Sequence, residues 1–216
     1  MKVRDLKLSM LKDWPFLLSL FLIPFNYLTF VILFIVSLKP EATFTHLVVF
    51  HILSLMVLWS LISVVIVDPG YLPLNWEYDD WEEDRRRFCL NCNSFRPERA
   101  RHCMGCGRCT MGLLFHERML ASCVGFKTRK MFFLFITYWD LLSIYVFCVE
   151  LWMILEEHSE PDWSFLAALR LIVLIFNSLQ AIFSSLLVGL HLILIKDNKL
   201  IFENENALSV YDVGKG

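Results

Sequence analysis

Four long apolar segments constrain this chain more than any other feature, because each can cross the hydrocarbon core of a membrane as a helix. They cover residues 15–38, 46–67, 131–155 and 165–195. Backbone polar groups cannot stay unpaired in lipid, so each segment is predicted to be helical. Of the 216 residues, 57% are hydrophobic and only 19% are charged, whereas soluble domains are about 25% charged. We therefore expect an all-α polytopic membrane protein with four transmembrane helices, which excludes a soluble globular enzyme.

Basic residues are distributed unevenly between the connecting segments, and this asymmetry predicts the orientation in the membrane. Most of the 20 lysines and arginines lie before the first apolar segment, between the second and the third, or after the fourth. The N-terminal residues 1–14, the central segment 68–130 and the tail 196–216 are therefore expected to be cytosolic. Residues 15–67 then hold transmembrane helices 1 and 2, and residues 131–195 hold helices 3 and 4. The lipid bilayer is the first expected partner.

Six of the seven cysteines lie in the central segment, together with two histidines. A cytosolic location keeps thiols reduced, which argues against a disulfide framework. Six sulfurs and two imidazoles are enough for two closed tetrahedral Cys3His sites, and such sites contribute folding energy. We therefore predict a cysteine-rich domain with a core over residues 88–126 and two structural Zn²⁺ ions. The predicted ligands are Cys89, Cys92, His102, Cys103, Cys106, Cys109, His116 and Cys123.

Nucleic acid is not an expected partner of this domain, although the segment is both basic and rich in cysteine. The segment lies between membrane spans and lacks the helix register of a nucleic-acid-binding finger.

Several ionisable and amide side chains fall inside the third and fourth apolar segments. If the two helices are antiparallel, depths can be matched at about 1.5 Å per residue. This matching predicts a Glu150–Arg170 pair, and a hydrogen bond from Asp140 to Asn177 or Gln180. We interpret these groups as contacts between helices, because the polar set is too sparse to line a pore.

Three short motifs surround the cysteines: Asp68-Pro69-Gly70 after the second apolar segment, Arg96-Pro97-Glu98-Arg99 before His102-Cys103, and Cys123-Val124-Gly125. With these motifs the sequence resembles the Asp-His-His-Cys (DHHC) family of protein S-palmitoyltransferases, without gaps from residue 89 to 125. The resemblance implies two structural zinc ions and a membrane of the ER or Golgi. It also implies acyl transfer from palmitoyl-CoA to a substrate cysteine through the signature cysteine.

The four residues of the family signature fall on Leu114, Phe115, His116 and Glu117. The second histidine, a zinc ligand in the family, is kept as His116, but the aspartate, the first histidine and the cysteine are replaced. No catalytic residue is therefore assigned, and we expect a membrane zinc protein of this family without catalysis. Its expected role is binding or regulation, with substrates or active relatives of the palmitoyltransferases as partners.

Two other functions stay open on the sequence. The first is a protein-cysteine S-palmitoyltransferase that works without the usual cysteine, with Glu117 as a general base and palmitoyl-CoA as acyl donor. The second is an unrelated membrane channel or transporter.

Overall fold

The structure, a computed structural model, describes residues 24, 27–28, 30–32, 40–73, 88–97, 99–156 and 165–197. Three long helices dominate these residues: α1 (Pro40–Ile66), α2 (Arg129–Glu156) and α3 (Phe165–Lys196). Over residues 44–66, 129–155 and 168–196 they are long and apolar enough to cross a membrane. The predicted helices are thus confirmed for the last three apolar segments. Most of residues 15–38 lie outside the described residues, so the count of four helices stays a prediction.

Helix α2 packs against both α1 and α3. The described residues of the first apolar segment are helical, and one of them, Phe30, is buried beside α1. Its ring lies 4.3 Å from the ring of Phe50, measured between centroids, and the same cluster includes Val146 and Val149 of α2. The described part of the first segment therefore packs against α1 and α2.

The register between α2 and α3 differs from the expected one by about one helical turn. Asp140 Oδ1 accepts hydrogen bonds from the hydroxyls of Ser184 and Ser185, each at 2.8 Å. Asn177 instead donates to the carbonyl oxygen of Val173 within its own helix. The predicted hydrogen bond between Asp140 and the side-chain amide of Asn177 is therefore wrong, because the serines that bond to Asp140 lie further along α3.

The same offset explains the environment of Glu150. This residue is fully buried, and neither carboxylate oxygen accepts a hydrogen bond from a described residue. The charge of Arg170 still acts on Glu150 electrostatically. Among the described residues the predicted pair is therefore electrostatic, without a hydrogen bond to the carboxylate, which agrees with a displacement of one turn, or about 6 Å along the axis.

The described residues between α1 and α2 form three short antiparallel hairpins, which the expected all-α class did not include. They pair β1 (Phe88–Cys89) with β2 (Ser94–Phe95), β3 (Ala100–Cys103) with β4 (Arg108–Met111), and β5 (Phe115–Glu117) with β6 (Ser122–Val124). The turn residues Asn93, Gly107 and Ala121 have φ angles of 50°, 62° and 46°. These left-handed conformations reverse the chain within a few residues.

A turn at Asp68 directs the chain from the end of α1 into the hairpins. Asp68 Oδ1 accepts hydrogen bonds from the backbone amides of Gly70 and Tyr71, at 2.7 and 2.9 Å. The following residues run beside β4, where the amide of Leu72 donates to the carbonyl of Cys109. The segment after α1 is thereby fixed against the middle hairpin.

The chain leaves the hairpins at the same place. Gly125 follows β6 and packs so closely on Pro69 that an added Cβ would lie 2.3 Å from the Pro69 carbonyl oxygen. A backbone hydrogen bond from Lys127 N to Pro69 O joins the exit to the entry, and Met111 of β4 bonds to both, because its carbonyl oxygen accepts from Phe126 N and its amide donates to Gly70 O. The start and the end of the hairpin segment are therefore in direct contact.

Candidate metal centre and signature positions

The first group of ligands, called here the first site, comes from the first two hairpins. Cys89 and Cys92 lie at the turn between β1 and β2, and His102 and Cys109 face each other across β3 and β4. Their ligand atoms all lie within 4.8 Å of one another. His102 Nδ1 is 3.2 Å from Cys92 Sγ and 3.6 Å from Cys89 Sγ. The group could hold one metal ion.

The second group, called the second site, comes from the last two hairpins. It contains Cys103 and Cys106 at the turn after β3, and the cross-strand pair His116 and Cys123. Cys106 and Cys123 are completely buried, and their Sγ atoms are 3.0 Å apart. His116 Nδ1 lies 3.4 Å from Cys106 Sγ. This group too could hold a metal ion.

The close packing of the second site depends on a glycine in its Cys-x2-Cys turn. A Cβ on Gly105 would lie 2.9 Å from Cδ2 of the His116 ring. The imidazole therefore uses space that only glycine leaves free.

The two sites are interleaved along the chain. Neighbouring residues His102 and Cys103 belong to different sites, and so do Cys106 and Cys109. The β3–β4 hairpin consequently contributes two ligands to each site. The sequence predicted the eight residues but not how they divide, because alternating spacings permit several partitions.

The chemistry of both groups fits zinc. Tetrahedral zinc binds Cys3His sets at about 2.3 Å from sulfur and about 2.0–2.1 Å from nitrogen, so ligand atoms lie roughly 3–4 Å apart. The six thiols of the two groups are all free of disulfides. Hydrogen bonds from the His116 ring to Cys103 and Cys106 raise the pKa of His116 to about 10. The raised pKa reflects the thiols around the ring, and a metal ion bound here would take the place of the imidazole proton.

One further residue contacts the second site, and sequence reasoning missed it. The Tyr71 hydroxyl donates a hydrogen bond to Cys106 Sγ at 3.2 Å. Burial raises the pKa of the Tyr71 phenol above its usual value. The sequence offered one signal for it, since Tyr71 directly follows the Asp68-Pro69-Gly70 motif.

Residues 114–117, which the sequence predicts to match the family signature, are called here the signature positions, and the first two lie in apolar packing. Leu114 is completely buried in a cluster that joins the hairpins to the helices, here called the junction cluster: Val64, Leu114, Leu120, Val124, Phe132 and Ile136. Phe115 packs against this cluster, with its ring edge-to-face to Phe132 at 5.4 Å between centroids. These two positions now hold the hairpins against α1 and α2.

The last signature position carries a carboxylate that takes part in a turn. Glu117 is half-buried, and its Oε1 accepts a hydrogen bond from the backbone amide of Met119 at 3.1 Å. This contact stabilises the turn between β5 and β6.

A buried histidine of α3 lies next to Phe115. His191 is 1% exposed, and its ring centroid is 6.1 Å from that of Phe115 and 5.3 Å from that of Phe132. Its Nδ1 lies 2.8 Å from the Leu187 carbonyl oxygen, so Nδ1 carries the proton. Among the described residues, Nε2 has no hydrogen-bond partner.

Known proteins are similar to this chain over a region that includes the three hairpins. The profile of the DHHC palmitoyltransferase family matches residues 82–207, which is more than half of the chain. The chain belongs to this family. The three apolar helices of the described residues and this membership make it an integral membrane protein with a cysteine-rich region that could hold zinc.

Relatives within the DHHC palmitoyltransferase family include plant and animal proteins. The chain is 36% identical over 125 residues to the probable protein S-acyltransferase 14 of Arabidopsis thaliana, covering 47% of this chain and 41% of the relative. It is 29% identical over 220 residues to the probable protein S-acyltransferase 16 of the same plant, covering 94% and 77%. It is 30% identical over 182 residues to palmitoyltransferase ZDHHC3 of Rattus norvegicus, covering 76% and 60%. The chain thus spans less than half the length of the first of these.

Proposed function

We propose that this protein is a zinc-binding member of the DHHC palmitoyltransferase family that does not transfer acyl groups and acts by binding. One observation carries the proposal. Leu114 and Phe115, where the family signature has an aspartate and a histidine, are built into the junction between the hairpins and the helices.

The chemistry of acyl transfer supports this conclusion. A thioester intermediate needs a thiolate nucleophile, and a neighbouring base has to generate it. Leucine and phenylalanine cannot accept a proton, and a carboxylate is a weaker nucleophile than a thiolate toward a thioester. Glu117 instead accepts a hydrogen bond from its own turn.

In this proposal the eight cysteines and histidines of the two sites are ligands of two structural zinc ions. The ions, when bound, fix the three hairpins, and the hairpins present Leu114 and Phe115 to the helices. The cysteine-rich domain extends over residues 68–130, from the end of α1 to the start of α2.

Family membership and charge support a location and an orientation. We place the protein in the ER or Golgi membrane, with both termini and the zinc domain in the cytosol. The central segment carries most of the basic residues of the chain, and cytosolic loops are rich in lysine and arginine. The partners we propose are substrates or active relatives of the palmitoyltransferases, bound by a scaffold that no longer turns them over.

Acyl transfer by the purified, membrane-reconstituted protein tests the proposal directly. Alkyne-labelled palmitoyl-CoA is supplied with a cysteine acceptor peptide, and transfer to the peptide and to the protein is measured separately. The wild type is expected to give no transfer above a protein-free control. It is also expected to carry no hydroxylamine-sensitive adduct.

Matched variants decide between the proposal and a cysteine-independent transferase. Glu117→Gln keeps the size of the side chain and removes the carboxylate, so wild-type transfer that Glu117→Gln abolishes would refute the proposal. Glu117→Cys restores the thiol, and Leu114→Asp/Phe115→His/Glu117→Cys restores the whole signature. We expect the hydroxylamine-sensitive adduct to be strongest in the triple variant.

The proposed partners need a separate measurement. Proximity labelling from a fusion to the full chain, compared with a fusion to an unrelated protein of the same membrane, should enrich active relatives or their substrates. If neither class is enriched, the proposed regulatory role is refuted. The proposal that the protein does not transfer acyl groups would still stand.

A further inference from the structure

A tyrosine outside the eight ligand positions reaches into the second site. The Tyr71 hydroxyl is 3.2 Å from Cys106 Sγ and donates its hydrogen bond to the sulfur. Cys106 is completely buried, so water does not compete for this contact. Each metal-bound thiolate accepts such bonds readily, because it keeps lone pairs that the metal does not use.

The backbone holds the phenol ring in place. The amide of Tyr71 donates to Asp68 Oδ1, and Tyr71 pairs with Thr110 of β4 in an isolated antiparallel bridge. Both contacts fix the main chain at Tyr71, so in the folded domain the hydroxyl is directed at Cys106.

Arg108 covers the ring. Its guanidinium carbon lies 5.0 Å from the Tyr71 ring centroid, and its Nη2 donates to the Leu72 carbonyl at 3.1 Å. This cation–π contact adds to the backbone contacts. The main chain of Tyr71 is therefore held by Asp68 and Thr110, and its ring is held by Arg108.

The contact is specific to the second site. In the described part of the chain, no tyrosine hydroxyl donates to a thiol of the first site, whose three thiols lie within 3.2–3.9 Å of His102 Nδ1. The two sites have the same ligand types but differ in this outer contact. A change at Tyr71 should thus affect one site and leave the other as an internal reference.

We propose that Tyr71 is a positioning residue of the second zinc site, which orients Cys106 as a ligand and lowers the reactivity of its thiolate. A hydrogen bond donated to a thiolate draws charge from the sulfur and makes it a poorer nucleophile. Through this bond, the segment that leaves α1 sets how firmly the second site holds its metal. The proposal needs bound zinc but does not depend on whether the protein transfers acyl groups.

Zinc release from Tyr71→Phe tests the proposal, because this change removes only the hydroxyl. The purified, zinc-loaded full chain is mixed with a chromogenic chelator, and the release of zinc is followed over time. One of the two ions is expected to leave about 10–100-fold faster than in the wild type, the loss typical of a missing outer-shell partner. Tyr138→Phe in α2 makes the same chemical change away from the ligands and is expected to release zinc like the wild type.

Pulse alkylation identifies which ion leaves first. N-ethylmaleimide is added during release, and peptide mass spectrometry follows each cysteine. In Tyr71→Phe, the cysteines of the second site should be labelled before those of the first site. Unchanged release rates, or equal acceleration at both sites, would overturn the proposal, since a general loss of structure would free both ions together.

Discussion

Leu114 has a packing role at the scale of a single residue. The residue is completely buried between β5 and the helices, in contact with residues of α1 and α2. A buried leucine stabilises mainly through the apolar surface that it removes from water and through close packing. An aspartate at this position needs a partner, such as the histidine of Phe115→His, because an unpaired carboxylate buried among apolar side chains is strongly unfavourable.

Leu114→Ala is expected to lower the free energy of unfolding by about 2–5 kcal/mol, the usual range for a leucine truncated in a packed core. Thermal unfolding in detergent measures the effect. Leu90→Ala is the matched control, because Leu90 is 87% exposed in the same region. Equal unfolding temperatures for the two variants would show that Leu114 does not carry the junction.

The site residues were predictable where their spacing is local. Short Cys-x2-Cys steps and adjacent histidines identify metal ligands without knowledge of the fold. The partner of Cys106 was not predictable, because Tyr71 lies 35 residues earlier in the chain. Only the strand-like pairing of Tyr71 with Thr110 brings the phenol to the thiol.

At the scale of the elements, the contact between α2 and α3 depends on a carboxylate and two hydroxyls. Ser184 and Ser185 both donate to Asp140 Oδ1. In apolar surroundings such bonds hold helices together, although measured values are modest.

A double-mutant cycle measures this contact. Asp140→Leu combined with Ser184→Ala/Ser185→Ala should be non-additive, with a coupling free energy of about 0.6–1.7 kcal/mol. The cycle uses unfolding of the protein in detergent or bilayers. Ser178→Ala serves as the control, because the Ser178 hydroxyl donates to Ile175 within α3. Additive effects of Asp140 and the two serines would contradict the contact.

The length of the apolar segments predicted helices α1, α2 and α3 correctly, but the sequence did not predict the register between α2 and α3. Residue counting across the α2–α3 connection placed Asp140 opposite Gln180, about one turn from Ser184. The rise per residue fixes how far each helix extends, but not how the two slide along each other. That displacement is set by side-chain packing, which the sequence does not display.

For the whole molecule, we expect metal and membrane to stabilise different parts. Among the described residues, the two buried clusters under the hairpins consist largely of cysteines, and their other buried members are Leu72, Ala100 and Leu113. So small an apolar core cannot by itself stabilise strands of two to four residues. The helices, in contrast, need no metal to bury their backbone.

Removal of zinc is therefore expected to unfold the hairpins and leave the helices folded. Hydrogen–deuterium exchange before and after chelation should show loss of protection over residues 88–124 and retained protection in α1, α2 and α3. Metal analysis should find two zinc ions per chain before chelation, and added zinc should restore protection. Hairpin amides that stay protected after verified metal loss would show that the metal is not needed for this fold.

The contact between Gly125 and Pro69 has a consequence for biogenesis. Because the chain enters and leaves the hairpin segment at one point, α1 and α2 can associate whatever the state of the residues between them. Helices α1 and α2 can thus pack together in the membrane first, and the β-hairpins between them can bind their metal ions afterwards. Integration into the bilayer and loading with metal become two separable steps in the life of one chain.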